Sequence, residues 1–298
     1  MKRAEAYVGI SGVVNPVQHA QYVQEWKELH ENRPATKLAL GVKAVHKTQY
    51  EDTANKYGKD WYPVGGGLRG ALDADEGSTL HIAQMYMEPE HIRADGARYM
   101  RSFIDTVKRR SISWLDALQF DKLPYVEGEA RTWHDVLSYA KLAQDGLARS
   151  RHYRVVLQCY EEAMAAGPRA AVERVKECAL DDEGTTVDYV LFDASHGTGK
   201  EMKPDILMRF LEAGYADTDL ESAGVNFGVA GGLNAKRIQR HMPGILREFP
   251  DVSWDAEGQL HDAIPREGGT GILVPELVSG YLGASAHALY DTPRAMLQ

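Results

Sequence analysis

The feature that most constrains the fold is a regular alternation of short apolar runs with helical patterns. The runs are rich in β-branched and aromatic residues, and each stops at polar or turn-forming residues. They occupy residues 7–11, 37–43, 79–86, 114–120, 153–159, 187–192, 225–230 and 252–256. Between most of them, apolar residues recur at helical spacing, as in residues 16–30 and 89–109. Short apolar runs that end in turn chemistry are typical of buried parallel strands.

Strands that alternate with helices predict a parallel sheet with right-handed crossovers. Eight such units in about 250 residues is the number found in a (β/α)8 (TIM) barrel. We therefore predict an α/β fold in which residues 1–298 form a single barrel domain. A doubly wound open sheet is the alternative. No Gly-x-Gly-x-x-Gly follows the first strand, so a dinucleotide-binding fold has little support.

A long polar insertion is predicted after strand two. Residues 44–78 are rich in Tyr, Lys, Asp and Gly, with three consecutive glycines at 65–67. Loops of this length are uncommon in compact domains and are often functional. The sequence leaves open whether the insertion is a lid that excludes water or a disordered linker.

The acidic composition excludes several classes of partner. A formal net charge of -9 argues against nucleic acid or an anionic membrane as a main partner.

No apolar run is long enough to span a bilayer, and no signal-peptide core follows the N-terminus. Two cysteines cannot form a disulfide framework or a zinc ribbon. We expect a cytoplasmic protein with an anionic small-molecule substrate and no cofactor, and we leave a homo-oligomer open.

Strand six leads directly into a segment with the chemistry of a ligand site. Its apolar run stops at Asp193, and residues 194–200 read Ala-Ser-His-Gly-Thr-Gly-Lys. A carboxylate at the carboxyl end of a barrel strand lies where such folds place their chemistry. The glycine-rich loop offers backbone N–H groups to an anion. Alternatively, Asp193 caps the next turn and the glycines only form a tight loop.

Strands six to eight together resemble phosphoribosylanthranilate isomerase. Residues 191–200 are similar to the family's strand-six aspartate and its Gly-Gly-(Thr/Ser)-Gly-Lys-like loop. Residues 230–234, Ala-Gly-Gly-Leu-Asn, are identical to the end of its strand seven, and residues 251–257 are similar at their ends to its strand eight. The three motifs occur in the right order. The resemblance implies the same barrel and an isomerase acting on a ribosylamine that carries phosphate.

The resemblance also implies acid–base chemistry. In the family, the strand-six aspartate is the general acid at the ring oxygen, a strand-one cysteine is the general base at C2, and the product is an Amadori ketose. Asp193 matches the acid, whereas Val8 stands at the place of the cysteine. Valine carries no proton, so the base is left open between Lys43, Asp121 and Asp255.

A phosphate site built from the loops after strands six, seven and eight is implied as well. Strand eight has Trp254 and Asp255 where the family has Ser-Gly, and a carboxylate there would repel a dianion unless it points elsewhere. Trp254 either contacts substrate or packs in the core. Lys47 is the candidate for a substrate carboxylate. The predicted phosphate and substrate contacts are His196, Gly197, Thr198, Gly199, Lys200, Gly231, Gly232, Lys47, Trp254 and Glu257.

Three functions are open at this point. The first is a diverged isomerase of a sugar phosphate or ribosylamine. The second is a lyase or aldolase that uses Lys43 as a Schiff-base nucleophile. The third is a barrel that binds an anionic ligand without catalysis. Oxygen ligands such as Asp121 and Asp193 suit Mg²⁺ or Mn²⁺, but no ligand spacing is diagnostic and we predict no metal.

Overall fold

The structure of the chain is a computed structural model. The structure describes residues 2–14, 16–31, 36–45, 79–86, 98, 100–109, 115–121, 130–141, 152–181, 184–193, 203–262 and 272–292. Most of the predicted insertion (residues 46–78) and the glycine-rich loop (residues 194–200) lie outside these ranges.

Eight parallel strands close into a barrel. They are β1 (Tyr7–Ser11), β2 (Lys37–Val45), β3 (Thr79–Tyr86), β4 (Ala117–Phe120), β5 (Arg154–Cys159), β6 (Tyr189–Asp193), β7 (Asn226–Ala230) and β8 (Ser253–Ala256). Each strand pairs with the next in chain order, and β8 pairs with β1 through Trp254 and Val8. The predicted α/β class and the barrel are confirmed, and the open sheet is excluded.

Helices follow the strands and cover the barrel. They are α1 (Pro16–Leu29), α2 (100–109), α3 (Ala130–Lys141), α4 (Glu161–Met164), α5 (Pro168–Ala179), α6 (Pro204–Tyr215), α7 (Thr218–Ser222), α8 (Ala235–Glu248) and α9 (Pro275–Asp291). The predicted break at Gly167-Pro168 separates α4 from α5, because Gly167 has a φ of 97° and proline begins the next helix. No helix in the described ranges is long and apolar enough to cross a membrane.

Two short elements were not predicted. One is α7, and the other is a hairpin of two two-residue strands, Leu180–Asp181 and Gly184–Thr185. Both are too short to leave a periodic pattern in the sequence.

Side chains alternate along each strand between two separate cores. Outward residues such as Ile10 and Phe192 pack beneath the helices. Inward residues such as Tyr7, Ile82 and Leu191 fill the barrel itself. This alternation decides which side chains at the strand ends face the open end of the barrel, and it therefore positions the candidate site.

The last helix, α9, covers the seam, which is the place where β8 pairs with β1 and closes the barrel. The Tyr281 hydroxyl of α9 donates to the Gly9 carbonyl of β1 at 2.9 Å. The Trp254 indole of β8 donates to the Ser285 hydroxyl of α9 at 3.2 Å. Because β1 and β8 are the first and last strands, α9 holds together the two parts of the barrel that are farthest apart in the sequence.

Candidate active site

A ring of polar side chains lies at the carboxyl ends of the strands, and we call this end the mouth. Its members occupy the inward positions or directly follow them; Gln84, for example, comes two residues after inward-facing Ile82. They are Ser11, Lys43, Gln84, Gln119, Asp121, Gln158, Asp193 and Asp255, each at most 8% exposed. The four residues predicted to be catalytic therefore lie at the same end of the barrel, which is the end where barrel enzymes carry their chemistry.

Asp255 lies across β1 and is held by Ser11. The Ser11 Oγ is 3.0 Å from Oδ1 and 2.9 Å from Oδ2 of Asp255. Gly9 leaves the space, since a Cβ there would lie 2.7 Å from Oδ1. Burial raises the pKa of Asp255 from 3.8 to about 7; the charges of Glu257 and Asp193 add to this effect and the Ser11 hydroxyl opposes it. Asp255 therefore exchanges a proton near neutral pH.

Lys43 of β2 forms an ion pair with Glu257, which follows β8. The Lys43 side chain is 9% exposed and that of Glu257 is 31% exposed. Burial lowers the pKa of Lys43, and Glu257 opposes this change. Burial alone would raise the pKa of Glu257, but the Lys43 ammonium brings it below the ordinary value. The mouth thus holds a cation that is already balanced by a carboxylate.

His261 is a further titratable group at this side of the mouth, and it was not predicted. Its Nδ1 lies 2.9 Å from the Glu257 carbonyl, to which it donates. Gly12 leaves room for the ring, since a Cβ there would lie 2.7 Å from Nε2. Burial and the nearby Lys43 lower the pKa of His261 to about 4. The imidazole is therefore neutral at physiological pH.

Asp193 is positioned by two glutamines on the preceding strands. Gln158 Nε2 donates to Asp193 Oδ2 at 2.7 Å, and Gln119 Nε2 donates to Gln158 Oε1 at 3.0 Å. The three residues belong to β6, β5 and β4, so the parallel register brings them together. A neutral amide holds the carboxyl group in place without adding a charge to the mouth.

Of the two alternatives for Trp254, core packing is the one that the structure shows. Trp254 is fully buried on the outward face of β8, among the residues that pack beneath the helices. Its neighbour Asp255 takes the inward position, so alternation turns the indole towards α9. Val8, at the place of the family's cysteine, belongs to the same outer core. Ser11 and Asp255 occupy the interior beside it.

The turn after β7 contains Gly231 and Gly232, the predicted anion contacts in this loop. Their φ angles are 91° and 65°, in the left-handed region that favours glycine. Asn234 caps α8 by accepting from the Arg237 backbone N–H at 3.0 Å, and the Arg237 side chain donates to the Gly232 carbonyl. The turn is thus fixed at the positive end of a helix, an arrangement compatible with an anion.

The remaining predicted contacts, Lys47, His196, Gly197, Thr198, Gly199 and Lys200, lie outside the described residues. Within the described ranges, no group of three or more His, Cys, Asp or Glu could hold a metal ion. The predicted binding roles of the glycine-rich loop stay predictions.

The sequence prediction assigned no role to the neutral partners of the two carboxyl groups, which are Ser11, Gln84, Gln119 and Gln158. A signal was present, because each lies two positions beyond an inward-facing residue at the end of a strand. Their hydrogen-bond partners could not be predicted from the sequence, because Ser11 and Asp255 are 244 residues apart and become neighbours only when the barrel closes.

No protein-family model matches the sequence, and no curated protein matches it. Among solved structures, a phosphoribosyl anthranilate isomerase from Thermus thermophilus is similar, with a TM-score of 0.56 and 12% identity over 96% of this chain and 100% of that one. The alpha subunit of tryptophan synthase from Legionella pneumophila str. Paris has a TM-score of 0.49 and 13% identity over 96% and 93%. The likeness is one of fold. It confirms the barrel that the sequence resemblance implied.

Proposed function

We propose that this chain is an isomerase that converts a phosphorylated ribosylamine or related sugar phosphate into a ketose by acid–base chemistry. The observation that carries the proposal is the presence of two buried carboxyl groups, Asp193 and Asp255, at one mouth, one of them with a pKa near 7. Conversion of an aldose to a ketose requires one group that gives a proton and one that takes a proton. The similar fold of a phosphoribosyl anthranilate isomerase indicates which substrates to test first.

In the proposed reaction, Asp193 is the acid and Asp255 is the base. Asp193 protonates the ring oxygen, the C1–O bond breaks, and the nitrogen lone pair forms an iminium. Ionised Asp255 then removes the proton from C2, and the C–H electrons form a C1–C2 double bond as the iminium is neutralised. The resulting enol loses its O–H proton and gains a proton at C1 to become the ketone, so the reaction needs no oxidant or reductant.

The mutual repulsion of the two carboxylates bears on these roles, which require Asp193 to carry the proton and Asp255 to be ionised when the substrate is bound. The charge of Asp193 is one of the causes that raise the pKa of Asp255. Two carboxyl groups that repel each other favour a state in which only one of them is protonated. Such a pair contains one acid and one base at the same pH.

The phosphate of the substrate is assigned to the turn after β7, at Gly231 and Gly232. The repulsion expected from Asp255 does not arise there, because its carboxyl group lies across β1 on the Ser11 hydroxyl. An anion at the turn therefore meets glycine backbone and the start of α8.

Binding is tested first by a thermal-shift screen of phosphosugars and aromatic amine ribosides, each with and without its phosphate. A ligand at one hundred times its Kd stabilises the folded state by about 2.7 kcal/mol. We expect only the phosphorylated compounds to raise Tm. A response limited to unphosphorylated compounds, or no response to any compound, would contradict the proposal.

Turnover of a compound that binds is then followed by chromatography of the riboside and the ketose. Asp193→Asn and Asp255→Asn are each expected to lower kcat by about 10²- to 10⁴-fold while binding is retained. Asp205→Asn, a change of an exposed aspartate on α6, is the matched control and should leave kcat unchanged. Binding by the wild type without turnover would instead identify a barrel that only binds its ligand.

A second candidate, a lyase or aldolase, is favoured by one observation: Lys43 is buried at the mouth and its pKa is lowered. A lysine with a lowered pKa forms Schiff bases more readily. Borohydride added with a carbonyl substrate should then add a stable mass to the peptide that contains Lys43, and Lys43→Met should abolish the adduct. Turnover without a trapped adduct supports the isomerase.

A further inference from the structure

Two buried amide oxygens at the mouth have no hydrogen-bond partner among the described residues. They are Oε1 of Gln84 and Oε1 of Gln119. The two glutamines are register partners on adjacent strands, β3 and β4, and they are 8% and 3% exposed. A buried carbonyl without a donor is unfavourable, and most such groups in native proteins are satisfied by protein or by a bound molecule.

The orientation of the Gln84 amide follows from Asp255. The Ser11 hydroxyl lies within hydrogen-bond distance of both carboxyl oxygens of Asp255, and it accepts from Gln84 Nε2. The side chain of Gln84 reaches Ser11 across Gly41 of β2, where a Cβ would lie 2.9 Å from the Gln84 Cδ. With its NH₂ group on Ser11, Gln84 presents its carbonyl oxygen.

The orientation of the Gln119 amide follows from Asp193 in the same way. Asp193 accepts from Gln158 through Oδ2, so the NH₂ group of Gln158 faces Asp193. The Gln158 oxygen then accepts from the Gln119 NH₂ group. Gln119 is left with its carbonyl oxygen, on the strand paired with that of Gln84.

We propose that Gln84 and Gln119 together bind two neighbouring hydroxyl groups of the substrate sugar. The assignment rests on the proposed function and names the part of the substrate that these strands recognise. Two acceptors on paired strands suit a vicinal diol, which has two donors on adjacent carbons. One series of hydrogen bonds runs from Gln84 through Ser11 to Asp255, and the other runs from Gln119 through Gln158 to Asp193. The hydroxyl groups of the substrate therefore meet neutral amide oxygens and not the carboxyl groups.

The same feature sets the direction in which the substrate lies. Carbonyl oxygens repel a phosphate, so the anionic end cannot lie at β3 and β4. The turn after β7, on the other side of the mouth, is the place assigned to it. C2 carries one of the two hydroxyl groups and C1 is bonded to it, so the reacting atoms lie beside the diol, at the end of the sugar away from the phosphate.

The test compares two probes that differ by one hydroxyl group, ribose 5-phosphate and 2-deoxyribose 5-phosphate, by titration calorimetry. Wild-type protein is expected to bind the ribose compound about 10- to 100-fold more tightly, because the deoxy compound leaves one acceptor unpaired. Gln119→Met and Gln84→Met should each reduce this preference to about threefold or less. Gln24→Met, a change of an exposed glutamine on α1, should retain it.

The outcomes separate this inference from the proposed function. Equal binding of both probes by the wild type overturns the inference and leaves the sugar-phosphate site standing. Binding of neither probe overturns both. A wild-type preference that persists in both methionine variants shows that the diol is recognised elsewhere. If a variant fails to fold, as judged by circular dichroism, the wild-type comparison and the other variant still decide.

Discussion

Asp255 and Glu257 show how the partner of a buried acid sets its state. The two residues are two positions apart, but Asp255 is held by the Ser11 hydroxyl and Glu257 by the Lys43 ammonium. Burial raises the pKa of Asp255, whereas Lys43 outweighs burial and lowers that of Glu257. At neutral pH Asp255 can exchange its proton, whereas Glu257 stays an anion.

The raised pKa of Asp255 makes the stability of the protein depend on pH. Between its ordinary value of 3.8 and about 7, the unfolded chain ionises at this position while the folded chain keeps the proton. The free energy of unfolding should therefore fall as pH rises through this window, by up to about 1.4 kcal/mol per pH unit. Asp255→Asn should flatten the profile and be more stable than wild type at pH 8.

Urea unfolding at pH 4, 5, 6, 7 and 8 measures the difference between the two proteins. Asp205→Asn on exposed α6 serves as the reference, and its profile should follow that of the wild type. Parallel profiles for Asp255→Asn and wild type would mean that Asp255 has an ordinary pKa.

Which residues lie at the mouth was only partly predictable from the sequence. Asp193 and Lys43 could be assigned to the mouth because each ends an apolar run that is clearly a strand. Trp254 was left between substrate contact and core packing because the sequence did not indicate which of Trp254 and Asp255 faces inward. That choice depends on the register with β1, where Gly9 leaves the space for a carboxyl group.

At the scale of elements, glycines in the strands allow side chains of a neighbouring strand to lie over them. Asp255 of β8 covers Gly9 of β1, and Gln84 of β3 covers Gly41 of β2. A strand glycine normally weakens a sheet, and its presence often marks a close approach. Because β1 and β2 have glycine at these inward positions, the side chains of Asp255 and Gln84 reach across them to Ser11.

Gly9→Ala should therefore destabilise the barrel. The added Cβ would lie 2.7 Å from the Asp255 Oδ1 and 3.1 Å from its Cβ, and overpacking of this kind costs about 1–3 kcal/mol. Gly283→Ala on α9 is the control, because nothing lies within 4 Å of its added Cβ. A helix alanine in place of glycine should stabilise by about 0.5–1 kcal/mol.

Thermal and urea unfolding of the two variants should thus shift in opposite directions. If Gly9→Ala were as stable as wild type, Asp255 would have to lie away from β1, and its hydrogen bond to Ser11 would need to be revised.

Elements were more predictable than their side-chain pairings. The bounds of β1 and β3 match the predicted runs, and the others differ by a few residues at their ends. Strands buried on both faces are continuous apolar runs, which a sequence displays directly. The helix predicted from residue 235 extends to Glu248 through Pro243, because the apolar stripe of Ile238, Met242, Ile245 and Leu246 continues past the proline.

At the scale of the whole molecule, the barrel depends on its last helix. α9 buries Val278, Tyr281, Leu282 and Leu289 against the rest of the protein. Burial of each large apolar side chain contributes about 1.5–3 kcal/mol. Together these contributions are comparable to the total stability of a typical domain, about 5–15 kcal/mol.

A chain that ends at Val274 should therefore not unfold cooperatively. We expect weak near-ultraviolet circular dichroism and no sharp thermal transition, because the outer faces of β1 and β8 lose their cover. A chain that ends at Thr292 keeps α9 and should melt like the full-length protein. A sharp transition in the shorter chain would show that the seam closes without the helix.

The seam between β1 and β8 also has a consequence during synthesis. Val8 pairs with Trp254, so β1 leaves the ribosome long before its partner has been made. At about 5–20 residues per second, the delay is on the order of ten seconds to a minute. During that time one edge of β1 has unpaired N–H and C=O groups that can pair with another nascent chain. We therefore expect the yield of folded protein in a cell to depend in part on that edge, before the site exists.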